Sequence, residues 1–588
     1  MILPAWILSG WILSGLVVLV VLADALRLRA RASALRVLPA GTSEHALLTA
    51  TGVRAEGSWD AGDADLVDLV PADLPTVAAL DLLGSVDPAR YRADRWVRGA
   101  SAAQAVLVRE KYVREVDPDD PTEFVAFVRG VKDHVHAEVD IAVAPGLGAG
   151  PYDLRYRAAR LRQIGKRPSL WIAGSMIGYA VVAAAVLTGW PWGLVALAAY
   201  WAHPVLVFAG TPLKPGDLWV PRFVRTPYLW LKTAGGKRST AERRQAETLE
   251  QAAPWYTERL GRDFHEARRD TCPSCGSADL RRWVTAHDLV QRKPGTFTMD
   301  RCTRCAHVWQ NPRLSEEGLG FYYRDFYDGL GESSADAVFS GKTSPYYGRA
   351  RMVEPFVKPE RWLDVGSGHA HFCLGAKEVL PDTAFDGLDQ GAAIEDAARL
   401  GRIEQAYRGS FKDYAGELKG RYDVISMHHY LEHVRDPWEE LDIAADVLPV
   451  GGYLLIELPD PEWRLGRLFG QYWMPWFQPQ HQHMMPIGNL EHALAGRGLV
   501  TVARERSKAH LCNDFTLALL LFLGAKAPRT PAPWRPERVR LRRLRSFLVW
   551  TLGIPAFFVA LALDQTVNRF LAARSGQGNA YRLLAIKA

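Results

Sequence analysis

This sequence has few cysteines and no dense cluster of positively charged residues. Only six of the 588 residues are cysteine, which excludes a small domain held together by a framework of disulfide bonds. The formal net charge is +6, and no block of lysine and arginine is dense enough for a nucleic-acid-binding tail. Nucleic acid is therefore not an expected partner. Because domains usually span ~100–200 residues, the chain is expected to contain several units.

Charged residues are missing from two long stretches, of which the first spans residues 2–23. Its length matches the ~20 residues that cross a bilayer, and the basic segment Arg27–Arg36 follows it. A cleaved signal peptide carries its positive charges before the apolar stretch, and here the order is reversed. We therefore predict a retained transmembrane anchor over residues 1–26, with the chain that follows in the cytoplasm.

The second uncharged stretch spans residues 169–213. It is long enough for two crossings joined by a turn at Gly189–Gly193. Basic residues flank both ends, so both ends favour the cytoplasm and the stretch predicts a transmembrane helical hairpin. A buried helical pair in a soluble core is the alternative. Residues 214–268 would follow as interfacial or linker helices, with the aromatic and basic segment Trp219–Trp230 in the headgroup region.

Residues 40–167 have the mixed pattern of an α/β region, which we expect to be cytoplasmic. The order of DADLVDLVPADLP, AQAVLVREKY and IAVAPGLGAGPYDLRYRAARL before the membrane helices resembles the later half of membrane-attached family 2 glycosyltransferases. The metal-binding Asp-x-Asp of that family would be matched by Pro71-Ala72-Asp73, and a clear nucleotide-binding strand and helix at the N-terminus are missing. The resemblance thus implies a degenerate glycosyltransferase-like region, rather than a second enzyme.

Four of the six cysteines form two Cys-x-x-Cys pairs, Cys272 with Cys275 and Cys302 with Cys305. Two such turns facing each other bring four thiolates into a tetrahedral site, for which Zn²⁺ is the natural occupant. Because no ligand position is left open, the metal would be structural, and we predict a small zinc ribbon over residues 269–320. An iron–sulfur cluster is the alternative. Cys373 and Cys512 lie in apolar contexts that favour core packing.

An apolar strand pattern at Arg361 is followed directly by a glycine turn and a helical pattern, RWLDVGSGHAHF. Doubly wound α/β sheets use this arrangement to bring backbone close to a nucleotide. A second strand pattern ends at Asp389, where an acid can bind ribose hydroxyls. Further strand patterns follow, and NAYRLLAIKA from Asn579 is expected to form a final edge strand. His371 stands where a dinucleotide dehydrogenase would have the third glycine of Gly-x-Gly-x-x-Gly, which disfavours that class.

The Asp364-Val-Gly366-Ser-Gly368 turn, Asp389 and the segment HYLEHVRDP from His429 together resemble the class I S-adenosylmethionine-dependent methyltransferases. The resemblance covers residues 361–588 apart from an insertion at 513–572, and it implies a methyltransferase domain over residues 345–588. It implies an α/β fold with a doubly wound, Rossmann-like, seven-stranded sheet, to which the zinc ribbon, the N-terminal α/β region and the transmembrane helices are added. The pairing with a cysteine ribbon resembles bacterial methyltransferases of polysaccharide, glycolipid and sugar-modification pathways.

The same resemblance implies a binding site for S-adenosyl-L-methionine and a base for the acceptor. The cofactor-binding residues would be Asp364, Gly366, Ser367, Gly368, Asp389, Ser410, Phe411, Met427 and His428. The candidates for the base are His429, His433, His481 and His483, because imidazole titrates closest to neutral pH. The segment WMPWFQPQHQHMMP resembles the loop that covers the acceptor in many members of the group, which favours His481 or His483.

The insertion at 513–572 contains two apolar segments, from Phe515 and from Ser546, with arginines between them. One crossing would separate the last strand from its sheet, so interfacial or re-entrant helices are expected, and a buried helical subdomain is the alternative. The sequence therefore predicts a multi-pass methyltransferase of a bacterial cytoplasmic membrane, with its catalytic domain facing the cytoplasm. Its partners would be the lipid surface and a membrane-bound or lipid-linked acceptor such as a glycolipid or saccharide, methylated on carbon or on oxygen. A catalytically silent membrane scaffold in a glycan assembly complex is the competing hypothesis.

Overall fold

The structure is a computed structural model of the 588-residue chain. It describes residues 5–92, 101–113, 116, 121–150, 168–218, 240–324, 344–507, 509, 513–528, 532–535 and 540–588. The chain divides into two units, Met1–Gln245 and Ala246–Ala588. The predictions for Trp219–Trp230 and for Cys512 lie outside the described residues.

The first unit combines a small mixed sheet with three long apolar helices. Its elements are α1 (Ala5–Ser33), β1 (Arg36–Val37), β2 (His45–Thr49), β3 (Arg54–Ala55), β4 (Leu66–Pro71), α2 (Thr76–Ser85), β5 (Ala105–Arg109), α3 (Pro121–Asp133), β6 (Val139–Ala144), β7 (Leu147–Gly148), α4 (Pro168–Thr188) and α5 (Trp192–Phe208). The five-stranded sheet has the order β1-β6-β4-β5-β2, in which β1, β6 and β4 are parallel and β5 and β2 are antiparallel to their neighbours. Buried apolar clusters give this unit a core of its own.

Two aspartates of this unit have structural partners. Asp73, the residue compared with the glycosyltransferase motif, accepts a hydrogen bond from the Ala149 backbone N–H at 3.0 Å. Asp68 is buried in β4, where it accepts hydrogen bonds from the Tyr91 hydroxyl at 2.8 Å and the Ala102 N–H at 3.0 Å, and burial raises its pKa. Both carboxylates stabilise loops, and a glycosyltransferase-like ancestry stays a prediction.

The three long helices pack against one another. A Cβ atom at Gly189 would lie 2.3 Å from Ser14 Oγ, so the turn between α4 and α5 can approach α1 only because this residue is glycine. His203 Nε2 in α5 lies 3.0 Å from Asp24 Oδ2 in α1, and both helices are thereby tied together. The segment Ser9–Ser33 is long and apolar enough to cross a membrane. The stretch 169–213 forms two helices joined by a turn, and its crossing of a membrane stays a prediction.

The second unit contains two sheets and a helical insertion. The helix that leads into it is α6 (Thr240–Arg259), and the first sheet region holds β8 (Leu280–Ala286), β9 (Phe297–Cys302), β10 (Val308–Gln310) and α7 (Glu316–Tyr323). The next elements are α8 (Ser344–Val353), β11 (Arg361–Val365), α9 (His371–Ala376), β12 (Ala384–Asp389), α10 (Ala393–Arg399), β13 (Ala406–Arg408), α11 (Phe411–Leu418), β14 (Val424–His428), α12 (Pro437–Val447) and β15 (Tyr453–Pro459). The last are α13 (Arg464–Phe469), β16 (His483–Met484), α14 (Ile487–Ala495), β17 (Leu499–Glu505), α15 (Asp514–Lys526), α16 (Arg542–Leu563), α17 (Arg569–Ser575) and β18 (Ala580–Lys587).

The larger sheet has seven strands in the order β13-β12-β11-β14-β15-β18-β17. Among these strands, only β18 runs in the direction opposite to the others. The predicted doubly wound, Rossmann-like sheet is therefore confirmed. The prediction that the last strand is an edge strand is wrong, because β18 lies between β15 and β17. Its first six residues are all buried, as an interior strand requires, whereas β17 alternates between buried or half-buried and exposed positions and forms the edge.

The smaller sheet is antiparallel and carries the four paired cysteines near one end. Its order is β16-β10-β9-β8. Strand β16 comes from the chain after β15, and it pairs with β10 through Val308 with Met484 and Trp309 with His483. The predicted ribbon over residues 269–320 is thus completed by a strand from the methyltransferase-like half.

The helical insertion lies between β17 and β18. A Cβ atom at Gly553 in α16 would lie 2.5 Å from a Leu523 methyl group in α15, so the two helices pack closely. The Asp564 carboxylate caps α15 by accepting hydrogen bonds from the N–H groups of Phe515 and Thr516 at 3.0 and 2.8 Å. The segment Leu544–Ser575 is long and apolar enough to cross a membrane. Since β17 and β18 are antiparallel neighbours, the inserted pair leaves and returns at one end of the sheet.

A fully buried ion cluster links β15, β18 and α8. The Glu457 carboxylate accepts hydrogen bonds from Arg349 Nη2 at 2.5 Å and from Arg582 Nε at 2.7 Å. Burial alone would raise the pKa of Glu457, but the two guanidinium groups hold it well below its ordinary value. Removing one partner of such a cluster leaves an uncompensated charge in the core.

We expect Arg582→Ala to lower the free energy of unfolding of the methyltransferase-like half by about 3–5 kcal/mol, because Glu457 loses one of its two buried guanidinium partners. Thermal unfolding followed by tryptophan fluorescence measures the change. The matched control is Arg504→Ala in the neighbouring strand β17, where the side chain is 65% exposed and paired with Glu491, and the cost should stay below about 1 kcal/mol. Equal losses in both variants would contradict the importance of the buried cluster.

Candidate functional site

The turn after β11 depends on two glycines in the left-handed region of backbone conformation. Gly366 has φ of +76° and Gly368 has φ of +52°. A Cβ atom at Gly366 would lie 2.6 Å from the Tyr430 ring, whereas one at Gly368 would meet no atom within 4 Å. The first glycine is therefore required by the neighbouring ring. The second leaves open space beside the backbone, which fits the close approach of a ligand.

Asp389, the last residue of β12, joins this turn to the second strand. Its Oδ2 accepts a hydrogen bond from the Gly368 N–H at 2.9 Å, and its Oδ1 accepts one from the Gly391 N–H at 2.7 Å. The structure thus brings together the glycine turn and the acid at the carboxyl end of adjacent parallel strands, where doubly wound sheets bind nucleotides.

Asp364 supports the turn from inside the sheet. Its Oδ1 accepts a hydrogen bond from Ser426 Oγ at 2.6 Å, and Ser426 Oγ accepts one from Trp362 Nε1 at 2.8 Å. Burial raises the pKa of Asp364 to about 6. The hydrogen-bonded chain runs across β11 and β14, so the carboxyl group is part of the sheet's interior beneath the glycine turn.

Three of the predicted cofactor residues belong to local structure. Ser410 caps α11 in a reciprocal pair with Asp413, in which each side chain accepts a hydrogen bond from the other's backbone N–H. The side chains of Phe411 and Met427 are fully buried in the same apolar cluster. These two side chains therefore pack in the core, and their contact with a cofactor stays a prediction.

Two further predicted residues lie close to the turn. Ser367 Oγ is 3.8 Å from Cys373 Sγ at the start of α9, and Cys373 is buried as expected for a core residue. His428, the last residue of β14, packs edge to face on Phe372 with ring centroids 4.5 Å apart. Burial lowers the pKa of His428 well below its ordinary value. Its imidazole is therefore neutral at neutral pH.

His429 lies between two buried carboxylates. Its backbone has φ of +52°, and its Nδ1 and Nε2 lie 3.0 Å from Glu432 Oε1 and 3.2 Å from Glu457 Oε1. Burial opposes the charged ring, but the hydrogen bonds to the two carboxylates prevail and raise its pKa to about 9. The sequence predicted a base at this position. An imidazolium already carries its proton at neutral pH, so the geometry favours a hydrogen-bond donor there.

His433 and His481 are brought together, with their ring centroids 4.5 Å apart. His433 Nδ1 lies 2.7 Å from the Tyr323 hydroxyl oxygen, and His481 Nδ1 donates to the Pro475 carbonyl oxygen at 2.7 Å. Burial lowers the pKa of His481 to about 3 and also lowers that of His433. Both rings are neutral at neutral pH. Possible ligand atoms of His433, His481 and Glu432 all lie within 4.8 Å of one another.

His483, the remaining candidate for the base, lies elsewhere. It belongs to β16 of the smaller sheet, where its Nδ1 is 3.2 Å from His307 Nε2 and its ring packs edge to face on Trp438. Burial lowers the pKa of His483 to about 4. The four histidines suggested by the sequence are therefore not one cluster, and His483 packs at the joint between the two sheets.

Sequence reasoning missed the acids and the tyrosine that orient these histidines. Glu432 lies inside the quoted segment HYLEHVRDP, so its place between two histidines was a usable signal. Glu457 stands as a lone charge in the apolar strand YLLIELP, which is unusual for a buried strand. Tyr323 is more than 100 residues away from His433 along the chain, and nothing local indicated their contact.

The four paired cysteines form a second cluster. Cys272 Sγ lies 3.6 Å from Cys305 Sγ, and Cys275 Sγ lies 3.6 Å from Cys302 Sγ. All four sulfur atoms are within 4.8 Å of one another. Four sulfur atoms at this spacing fit a closed tetrahedral metal site.

Comparison with known proteins addresses the half that carries the glycine turn. The family model described as a methyltransferase domain matches residues 347–504, which run from α8 to β17. A ubiquinone biosynthesis O-methyltransferase of Aeromonas salmonicida is 26% identical over 170 residues, or 27% of this chain and 71% of that protein. A protein of the same name from Vibrio parahaemolyticus is 31% identical over 97 residues, or 16% of this chain and 40% of that protein.

Among solved structures, an S-adenosylmethionine-dependent methyltransferase from Archaeoglobus fulgidus aligns with 18% identity and a TM-score of 0.27, covering 43% of this chain and 98% of that one.

The sequence alignment with the Vibrio protein spans less than half of that relative. The family match falls on the strands that carry Asp364, the glycine turn and Asp389. Residues 347–504 of this chain are thus similar to methyltransferase domains.

Proposed function

We propose that this chain transfers a methyl group from S-adenosylmethionine to an oxygen atom of an acceptor held at a membrane surface, such as a glycolipid or a lipid-linked saccharide. The cofactor supplies a methyl group on a positively charged sulfur, which is already activated for attack. The protein then has to position the acceptor in line and to remove its proton. The names of the curated relatives support oxygen as the acceptor atom.

The residues of the turn are suited to hold the cofactor. The open backbone at Gly368 would accommodate its methionine portion, and the Asp389 carboxylate would accept hydrogen bonds from its ribose. Asp389, at the end of β12, already accepts a hydrogen bond from the Gly368 N–H. Tyr430, whose ring packs on Gly366, directly follows His429 and precedes Glu432 by two residues.

The observation that carries the membrane part of the proposal is the outward face of α16. Phe547, Leu552 and Phe558 are more than half exposed, with Leu552 at 76%. Arginines lie at both ends of this face: Arg540, Arg542 and Arg545 at one end, and Arg569 and Arg574 at the other. An apolar face bordered by arginines is typical of a helix that lies in the interface between lipid headgroups and acyl chains.

Buried hydrogen bonds connect this helical insertion with the loop beside the site. Asp514, at the start of α15, accepts hydrogen bonds from Trp473 Nε1 at 2.7 Å and from Asn568 Nδ2 at 2.9 Å. Trp473 packs edge to face on Trp476 in the segment that continues to His481. An acceptor whose lipid part stays in the bilayer would therefore reach the site along the face that the insertion supports.

The four-cysteine cluster supports a structural Zn²⁺ site. Its donors are Cys272, Cys275, Cys302 and Cys305, and four thiolates leave no position for a substrate. Strand β16, which pairs with β10 of this ribbon, begins at His483, two residues after His481. The metal would stabilise a short sheet that supports the acceptor loop.

We expect Asp389→Ala to weaken S-adenosylmethionine binding by roughly ten- to a hundredfold, because a charged hydrogen-bond acceptor is worth about 1.5–3 kcal/mol. Isothermal titration calorimetry on the full chain in detergent measures it. The control is Asp382→Ala, an exposed aspartate before β12, which should bind as the wild type does. Absence of binding by the wild type at millimolar cofactor would favour the silent scaffold.

We expect α16 to contact lipid acyl chains. The photoreactive residue p-benzoylphenylalanine, placed at position 552 of the full chain in lipid vesicles, should form crosslinks to phospholipid that mass spectrometry detects. The matched control is position 450, in the turn before β15 at the opposite end of the sheet, because Val450 is 77% exposed and Leu552 76%. Comparable lipid crosslinking at both positions, or none at 552, would contradict the interfacial placement.

We expect Cys275→Ser to remove one equivalent of zinc per chain relative to the wild type and to lower the melting temperature, because the tetrahedral site loses a ligand. Elemental analysis by mass spectrometry counts the metal. Cys373→Ser is the control, since Cys373 is buried in the other apolar core and should leave the zinc content unchanged. Retention of zinc by Cys275→Ser would show that the pairs do not share a metal.

A further inference from the structure

Three side chains beside the glycine turn converge without an evident reason in the packing. Glu432, His433 and His481 each offer one atom that could bind a metal, and these atoms all lie within 4.8 Å of one another. Glu432 is 1% exposed and His481 is 7% exposed. The group is separate from the four-cysteine cluster, and its two histidines come from segments 48 residues apart in the sequence.

In each of the three side chains, one polar atom already lies close to a neighbouring group. His481 Nδ1 is 2.7 Å from the Pro475 carbonyl oxygen, which can only accept, so this nitrogen carries the proton and Nε2 keeps a lone pair. His433 Nδ1 is 2.7 Å from the Tyr323 hydroxyl oxygen. Glu432 Oε1 is 3.0 Å from His429 Nδ1. Metal-binding histidines and carboxylates are usually held in this way by outer partners, which fix the ring tautomer and the direction of the ligand atoms.

The second carboxylate oxygen of Glu432 lacks such a partner in the described part of the chain. Glu432 Oε2 is buried and has no hydrogen-bond partner among the described residues. A buried carboxylate oxygen without a partner costs free energy, and such atoms in native proteins require an explanation. The rings of His433 and His481 meet at 89° rather than side by side. The backbone N–H groups of Gln482 and His483 bond to the Glu432 carbonyl oxygen at 2.7 and 3.3 Å, so the two segments are held together.

We infer that Glu432, His433 and His481 bind a divalent first-row transition metal ion, which holds and activates the oxygen atom of the methyl acceptor. Two imidazoles and one carboxylate are the ligand set of catalytic zinc sites and of facial iron sites, and three protein ligands leave positions open for a substrate. The unpaired Glu432 oxygen then has a partner. Metal binding itself does not depend on the proposed function, whereas the role in catalysis rests on it.

The site lies where such an ion would be useful. Tyr430, two residues before Glu432, packs on Gly366 of the cofactor turn. A metal ion lowers the pKa of an oxygen that binds it, so the acceptor hydroxyl loses its proton to water on binding. The oxygen then forms a bond to the methyl carbon, and the bond between sulfur and methyl breaks with its electron pair staying on sulfur. Neutral S-adenosylhomocysteine and the methyl ether leave. The acceptor in this step is thereby a hydroxyl compound.

The experiment counts zinc bound to the full-length chain purified in detergent, supplied with Zn²⁺ and freed of loosely bound metal. The wild type should hold two zinc ions per chain, one in the cysteine ribbon and one at the new site. His481→Ala and Glu432→Gln should each hold one. The control His492→Ala changes an exposed histidine of α14 and should still hold two. A single zinc in the wild type, or two zinc ions in both site variants, would overturn the inference.

Cobalt substitution identifies which site is lost. Thiolate-bound Co²⁺ has charge-transfer absorption that a site of two histidines and one glutamate lacks, so His481→Ala should lose one cobalt ion and keep that absorption. S-adenosylmethionine binding by the same variant reports whether the domain is folded, and His481→Gln replaces it if it is not. Absence of cofactor binding by the wild type would reject the proposed function, while the zinc count would still decide the metal site.

Discussion

The placement of the site depends on one buried charge arrangement, the His429 imidazolium between the carboxylates of Glu432 and Glu457. The chain leaves β14 at His429 with a positive φ, a conformation that is costly for a residue with a Cβ atom. The two hydrogen-bonded carboxylates stabilise it. Because the backbone reverses there, Tyr430 reaches the glycine turn and Glu432 faces back into the domain. Tyr430 and Glu432 thereby connect the glycine turn with His433 and His481.

The same carboxylates connect the site with the remainder of the second unit. Glu457 lies in the sheet, where its carboxylate forms ion pairs with Arg349 and Arg582. Glu432 is connected to the smaller sheet through its backbone. Its carbonyl oxygen accepts a hydrogen bond from the Gln482 N–H at 2.7 Å, and the Gln482 carbonyl oxygen accepts one from the Gln310 N–H at 2.8 Å. The cysteine ribbon, the segment that contains Gln482 and the residues after β14 are therefore joined by hydrogen bonds. A change in the ribbon would therefore reach His481 through β16.

Local chemistry determined what could be predicted from the sequence. The glycine turn, Asp389 and the cysteine pairs are short motifs whose residue types are dictated by backbone conformation or ligand geometry, and the structure brings each set together. The position of β18 could not be read in this way, because its place between β15 and β17 is settled by long-range pairing. The different surroundings of His481 and His483 could not be read from the local sequence either. Two residues apart, they belong to different neighbourhoods because a strand of the smaller sheet begins between them.

The apolar helices between β17 and β18 raise a question of topology that the sheet itself answers. An insertion between two antiparallel neighbouring strands must begin and end at the same end of the sheet, so a single crossing is incompatible with the pairing of β17 and β18. The capping of α15 by Asp564 and the close packing of Leu523 on Gly553 hold the two helices as an antiparallel pair. The tip of this pair is tied back as well, since Trp534 Nε1 donates to the Gln291 carbonyl oxygen at 3.0 Å beside the ribbon. A pair anchored at both ends to the domain can reach a bilayer only along its side, which is where the apolar face of α16 lies.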